Sequence, residues 1–567
     1  MVHEPESSTT PTNLLAPFIR TWVLTEVAQL LQQPFLAPSA WWFAAMLALL
    51  LASAVLATGD VFKVTLAWRL AGHWACAPYA FESAQWSVYA DIALLLAILL
   101  AQDDNDAVCA AAPAVRACFG IFYFAAGWWK INSSFLDRSS SCAPILMLQL
   151  IAAYVPASLT PASLPVLAAR IAAPMTIVGE MVIGLLLLVP STVPGGRLAH
   201  ALAVGLTTLL HTAISATPFP NQIASFSCVS LLRVAWASLP AGWALAVGEA
   251  ASWPSRTDAR ALAARAGTVA TLAAAAALNT VPGMALNLAL ILYAALALLA
   301  GRSLALEPPL ASYARLAPAD TPATATARRR AAAVARCVLV PCALYALAWP
   351  CLGLTDLGLA GPFSSLRVHG GSNHLVVPTG LLQARAAARG EVGGAFGGGV
   401  VRVSACTSQY IRDVTHPDCS AALPARAREL LHQAGHTAVQ HNPTVARIIP
   451  EARVVPQGFV PFTVPALELR RLLAEARERG ERFSLTYDVL PGATGGREWR
   501  TGPGVRTVRV QEDGAGGREC KVLRGPRRGR CAPDEIAEQP PPSGWVGKAL
   551  IFFAHPVDSS DELPCMD

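Results

Sequence analysis

The stretch Trp128-Trp129-Lys130-Ile131-Asn132 sets an amine and an amide beside two indole rings at the end of an apolar run. A lysine half-buried beside aromatic rings loses hydration, so its ammonium form becomes less favourable and a free amine can take up a proton. Glu180, in IVGEMVIGLLLL, and His211, in LLHTAISATPF, also stand inside apolar runs and would complete an acid–base site with Lys130. Plainer readings stand beside this one. Tryptophan and lysine at a span end also form an interfacial anchor, and a lone buried histidine is commonly a hydrogen-bonded packing residue. Asp91, Arg116, Arg233 and the neutral Asn287 lie in apolar surroundings too. Each such charge has a plain role, pairing or snorkelling, but together they favour a polar site within a membrane.

The elements that position these residues follow from composition. The chain has 567 residues, 54% of them hydrophobic and only 14% charged, which excludes an ordinary soluble protein. Nine stretches are apolar enough to span a bilayer, approximately 41–58, 85–101, 107–128, 171–189, 198–216, 222–243, 261–279, 283–300 and 334–353. Before them, Leu14, Leu15, Phe18, Ile19, Trp22, Val23, Val27 and Leu30 recur at helical spacing with Arg20 and Glu26 off the stripe, which reads as an interfacial amphipathic helix. The opening MVHEPESSTTPTN lacks the basic-then-apolar layout of a cleavable signal, so the first span is expected to be an uncleaved anchor. Residues 143–166 begin apolar but are interrupted by Pro156, Pro161 and Pro165; counted as a crossing they would make ten spans and turn Lys130 to the cytosol, whereas the nine-span reading lays them along the surface. Arginines before the seventh and last stretches, Arg328, Arg329 and Arg330 among them, mark the cytoplasmic side. The N-terminus is then cytoplasmic, with Lys130 and the tail outside.

After Leu354 the pattern changes. VVRVSAC, RFSLTYDVL, VRTVRVQ and GKALIFFAHPV alternate as strands do, while 423–434 and 464–479 read as helices. The fold class is thus a membrane all-α bundle of about nine transmembrane helices followed by a smaller β-rich, α+β extramembrane domain. Its divisions are 1–38 (tail and interfacial helix), 39–354 (membrane domain) and 355–567 (outer domain). In that domain Cys406–Cys419 and Cys520–Cys531 are the candidate disulfides, with connectivity open. Other motifs carry less. GGAFGGGVVRV has its glycines before a strand and is no dinucleotide loop, and RGPRRGR (524–530) reads as a solvated loop with no nucleic-acid fold around it. His432 and His436 lack an acidic ligand at metalloprotease spacing, so no metal site is expected. Asn132-Ser-Ser is a sequon too close to a span to accept a glycan readily.

FYFAAGWWKINSSFLD resembles the Y-F-x-A-G-x-x-K-L-N/D-x-x-W-L signature of the HTTM superfamily, which includes the vitamin K-dependent γ-glutamyl carboxylases. GEMVIGLLLLVP and LLHTAISATPFPNQIASF are similar to the family's following helices, and FSSLRVHGGSNHLVVPTG to the opening of its luminal region. The resemblance covers the layout of residues 14 to 375. It implies a multi-pass membrane protein of the endoplasmic reticulum or another endomembrane with a luminal C-terminal domain. Lys130 would then be the base for a vitamin K hydroquinone or another quinone, Trp128, Trp129 and Asn132 would hold that quinone, and the substrate would be a protein glutamate. The sequence departs from the signature at Phe135, where tryptophan is usual, and the tail after Pro378 has no match to the propeptide-binding portion. A competing class is a non-enzymatic transporter or membrane scaffold whose polar residues line a path or pair for assembly.

Overall fold

The computed structural model describes residues 13–32, 39–76, 82–137, 141–161, 163–216, 224–252, 294–297, 322–352, 366, 374–377, 400–415, 461–489, 505–525, 528–542, 544 and 555–556. Up to residue 352 these are mostly helical, and from residue 400 they are organised on an antiparallel sheet. The first helices are α1 (Leu15–Gln32), α2 (Ala40–Leu56), α3 (Gly59–Cys76), α4 (Glu82–Leu100) and α5 (Asp104–Trp129). Asp103 starts α5 by accepting from the amide of Asp106 at 2.8 Å, and Asp104 and Asp106 occupy the first turn, where the helix dipole favours carboxylates. Asn13 Nδ2 donates to Asp104 Oδ2 at 3.1 Å and the Gly59 amide to Asp104 Oδ1 at 3.2 Å. The start of α1 and the α2–α3 and α4–α5 turns therefore meet at one end of the bundle. Lys130 terminates α5 at the other end, roughly 39 Å away for a helix of 26 residues.

The apolar stripe of residues 14–30 faces protein. Leu14, Leu15, Phe18, Ile19, Trp22 and Val23 are buried, and Phe18 stacks on Trp236 with ring centroids 4.1 Å apart. Glu26 is buried as well, because α3, which lies in none of the nine apolar stretches, brings Arg69 to it.

The chain continues through α6 (Ser133–Leu136), α7 (Cys142–Tyr154), α8 (Ser163–Leu188), α9 (Gly196–Ala216), α10 (Ala224–Ser238) and α11 (Pro240–Ser252). After residues outside the description comes α12 (Pro322–Cys337), extended by Leu339–Ala343, a π-helical turn at Leu344–Ala348 and Trp349–Leu352. By length and composition, four described segments suffice to cross a membrane: α5, α8, Gly196–Ser215 of α9, and Arg329–Cys351. A fifth exists if α10 and α11, bent by 111° at their junction, are one span. That is fewer than the nine stretches read from sequence. The first two, 41–58 and 85–101, form apolar helices of shorter length, and 261–279 and 283–300 lie outside the described residues apart from 294–297. Residues 143–166 do not form a crossing helix: α7 has 13 residues, and after a turn at Ala157–Leu159 the chain enters α8, whose Ala172, Ala173 and Ile177 cluster with Ala143. The prolines that interrupt this stretch make it a hairpin.

The sheet has the order β6-β5-β4-β3-β1-β2-β7, with β1 (Val400–Cys406), β2 (Phe462–Pro465), β3 (Arg482–Val489), β4 (Arg506–Asp513), β5 (Arg518–Arg524), β6 (Gly529–Arg530) and β7 (His555–Pro556). All its pairings are antiparallel. Period-2 alternation gives it one apolar face, with Val401, Val403, Phe483, Leu485, Tyr487, Val508 and Val510 packed on Leu469, Leu472 and Leu473 of α14 (Ala466–Glu478). A short α13 (Gln409–Thr415) follows β1. Of the two disulfide candidates, Cys520–Cys531 is formed. Cys406 is free and buried, with its thiol pushed up to about 12 by burial, and Cys419 lies outside the described residues, as does helix 423–434.

Candidate functional site

Lys130 Nζ lies 2.8 Å from Glu180 Oε2 and 3.0 Å from Oε1, and also donates to the Ala126 carbonyl at 3.5 Å. The lysine is 2% exposed and the glutamate side chain 12%, so the pair is held nearly out of solvent and opens only on the glutamate side. Met175, Val178, Val182 and Leu185, two and five residues either side of Glu180, are exposed apolar side chains on the opposite face of α8. The Phe135 ring, which replaces the signature's tryptophan, lies with its centroid 5.8 Å from Lys130 Nζ.

Small residues make the pair possible. A Cβ added at Gly127 would lie 2.8 Å from the Ile177 carbonyl oxygen, and one at Gly184 would lie 2.8 Å from the Gly120 carbonyl oxygen and collide with the Phe124 amide nitrogen. Backbones of α5 and α8 therefore touch, as glycine-lined helix pairs do in membranes. The contact brings Glu180 within reach of Lys130. Gly184→Ala should push the helices apart and cost about 1–3 kcal/mol, because backbone atoms rather than a flexible side chain stand in the way. Thermal unfolding of the purified protein checks this, with Gly179→Ala as control, since nothing lies within 4 Å of its added Cβ. Equal stability of the two variants would refute the close-packing account.

His211, the third expected member, is brought not to Lys130 but to Tyr123, one helical face and seven residues back along α5. Tyr123 Oη and His211 Nε2 share a short hydrogen bond, and His211 Nδ1 is 3.1 Å from Ser227 Oγ. Positions 123 and 130 are two turns apart, so both polar pairs lie along one stripe of α5. Tyr123 escaped the sequence reading as a site residue, although its i,i+7 spacing from Lys130 was visible.

Trp128, Trp129 and Asn132 have partners within the protein. Trp129 is buried and donates from Nε1 to the Ala346 carbonyl at 2.8 Å, while the Trp128 ring stacks along Phe124 with centroids 6.1 Å apart. Asn132 caps α6, accepting from the Phe135 amide at 2.8 Å and donating from Nδ2 to the Trp129 carbonyl at 2.8 Å. Its buried, engaged amide nitrogen is no glycan acceptor in this fold.

His374 was not singled out by sequence and closes the same end of the bundle. Its Nε2 is 2.9 Å from the Trp128 carbonyl oxygen, the Leu375 amide donates to the Ile131 carbonyl at 3.0 Å, and 132 and 374 form an isolated bridge. Nδ1 accepts from the amides of Val376 and Val377, at 3.2 and 2.9 Å, so the proton sits on Nε2 and is donated to Trp128. Burial pulls the His374 pKa below its ordinary value, and the Trp128 hydrogen bond opposes that only in part. A neutral imidazole results, and it ties the segment after the last helix to the Lys130 end.

Asp91 and Arg233, read from sequence as intramembrane charges, are partners. Arg233 Nη2 is 2.9 Å from Asp91 Oδ1, and Arg69 bridges Asp91 Oδ2 at 3.0 Å to Glu26 Oε2 at 2.6 Å and also donates to Ser87 Oγ at 2.7 Å. Arg233 approaches Glu26 at 3.6 Å, so two cations and two carboxylates from α1, α3, α4 and α10 form one neutral, buried network. Arg116 differs. It is buried, donates to the Ala237 carbonyl at 3.2 Å, and has no carboxylate within 4 Å among the described residues. Ala237 lies in the last turn of α10, just before the 111° bend, where helix carbonyls lose their in-helix donors, and Arg116 donates to one of them. Asn287 lies outside the described residues. No group of three or more potential metal ligands occurs among the described residues.

Residues 372–548 match one family model, described as a domain of unknown function (DUF8388). That span includes His374 and strands β1 to β6. Neither a curated protein nor a solved structure matches the chain.

Proposed function

We propose that this chain is an HTTM-type integral membrane enzyme with quinone-dependent, γ-carboxylase-like chemistry, in which Lys130 is the base. The observation that carries the reading is the Lys130–Glu180 pair, buried at a helix end and open only on the glutamate side. A hydroxyl on an apolar ring fits that setting, since an apolar ring suits the nearly dry end of the bundle, where the Phe135 ring centroid lies 5.8 Å from Lys130 Nζ, while its O–H meets the pair. The base must first be an amine. Across 2.8 Å the ammonium passes a proton to Glu180, leaving amine and carboxylic acid, and exclusion of water by an apolar ligand favours this uncharged form. Lys130 then takes the hydroxyl proton and returns to ammonium, while Glu180 holds the other. A quinol so deprotonated supplies the reducing, oxygen-reactive ring from which a stronger base for a glutamyl γ-proton derives. His374 and Asn132 keep the end of α5 in place.

The assay is turnover of vitamin K hydroquinone with a glutamate-rich peptide by the purified protein in lipid, read as peptide carboxylation or quinone epoxidation. Absence of both products, with the protein folded, counts against the reading. A second reading, transporter or scaffold, is favoured by Arg116 at the α10–α11 break, because interrupted helices and buried cations also build ion paths.

The finer topology belongs to the same proposal: nine spans, a cytoplasmic N-terminus, and a tail in the lumen of the endoplasmic reticulum or a related endomembrane. The exposed Arg329 and Arg330 on α12 support a cytoplasmic start for the last span. Terminal tags should show opposite protease access in sealed vesicles; both ends protected, or both cut, would defeat it.

A further inference from the structure

Among the described residues, helix covers the sheet on one side only. Val508, Val510, Cys520 and Val522 are buried toward α14, so strand alternation turns Arg509, Gln511, Glu519 and Lys521 the other way, and all four are exposed. Register then aligns cations: Arg509 stands opposite Lys521, and Lys521 opposite Arg530. In the neighbouring row Arg524 stands opposite Thr507, and Arg402 opposite Asp488. Adjacent strands are about 4.8 Å apart, so like charges set directly across from one another destabilise the sheet that carries them. Compensation on this face is slight. Lys521 pairs with Glu519 of its own strand and Arg402 reaches Asp488 only at 3.9 Å, while Arg509, Arg524, Arg528 and Arg530 have no carboxylate within 4 Å among the described residues.

The run RGPRRGR therefore does more than solvate a turn. It links β5 to β6, it carries Arg524, Arg528 and Arg530, and the Cys520–Cys531 disulfide ties its two flanks, so these cations are presented on a fixed support. Leu523 is the exposed large apolar side chain of these strands, and aromatic rings are absent from the row. A surface made to enter a bilayer would carry such rings or a broad apolar face.

We infer that the open face of this sheet is a docking surface for an acidic polypeptide segment, its carboxylates laid along the Arg509–Lys521–Arg530 row. The choice of polypeptide over lipid rests on the proposed outer placement of the tail, where the leaflet lacks the anionic lipid that gives the cytoplasmic leaflet its negative potential. Carboxylates spaced along an extended chain neutralise the row and gain hydrogen bonds from guanidinium groups.

The test uses the full chain in zwitterionic nanodiscs and a fluorescent oligoglutamate peptide. Saturable binding is expected, weakening as salt rises, and reduced at least about tenfold by Arg509→Glu with Arg530→Glu, charge reversals that also relieve the repulsion in the row. Arg479→Gln, beyond the end of α14, should bind as the unmutated protein does. Thermal unfolding reports whether the reversed variant is folded. Unchanged affinity in that folded variant would overturn the inference. So would a failure to bind oligoglutamate at low salt, including the case in which the protein instead binds phosphatidylserine vesicles through the same arginines. Lys130→Arg separates this inference from the enzymatic one, because it should leave peptide binding intact while removing quinol chemistry.

Discussion

Lys130→Arg abolishes quinol-dependent turnover while the protein remains folded. Arginine keeps the positive charge, can still meet Glu180, and can still snorkel, but a guanidinium does not release its proton in proteins. The proposed cycle needs a proton to leave the Lys130 ammonium for Glu180 across 2.8 Å before the amine can act, and that step is closed to arginine. Lys130→Ala should be equally inactive and also less stable, since it leaves the Glu180 carboxylate without its partner. General-base removal typically costs 10²–10⁴-fold, roughly, so both variants should fall to the assay floor. Peptide carboxylation and quinone epoxidation at several pH values, with protease resistance as the folding control, give the answer. Full activity in the arginine variant would reduce Lys130 to an interfacial anchor, the plainer reading its position allows.

Asp91→Ala destabilises the bundle by about 3–5 kcal/mol, the scale seen when one partner of a buried ion pair is removed. The reason is the network's balance. Asp91 receives Arg233 at 2.9 Å and Arg69 at 3.0 Å, and its loss leaves two buried guanidinium groups facing the single carboxylate of Glu26. Combining Asp91→Ala with Arg233→Met should recover part of the loss, because Glu26 and Arg69 then remain as a neutral pair at 2.6 Å. A double-mutant cycle on thermal unfolding in detergent measures the coupling. Near-normal stability of the single variant would mean that the four side chains are hydrated or rearranged, and that α1 is not pinned to α3, α4 and α10 through charge.

Much of the membrane part was legible because the cost of a polar group in an apolar run is local. Lys130, Glu180, His211, Asp91, Arg116 and Arg233 stand out against their own neighbours, whatever lies across the bundle. Strands β1, β3 and β4 were legible for a similar reason, since seven or eight alternating residues carry their own period. The four-residue β2 and the two-residue β6 carry no period at all and exist only as partners of β1 and β5.

By itself, then, the sequence determined that apolar helices precede a strand-rich tail and that a few charges must be accommodated among the helices. It did not determine who meets whom. Glycines at 120, 127 and 184 let α5 and α8 touch and made Glu180 the partner of Lys130, whereas α9 carried His211 to Tyr123 instead. Glu26 reads from sequence as the polar side of a surface helix, but α3 places Arg69 beside it, and His374 joins the Lys130 end across more than two hundred residues of chain. Burial cost is a property of each residue and its neighbours in the chain, but pairing depends on helix packing, and packing is settled only when the whole bundle closes.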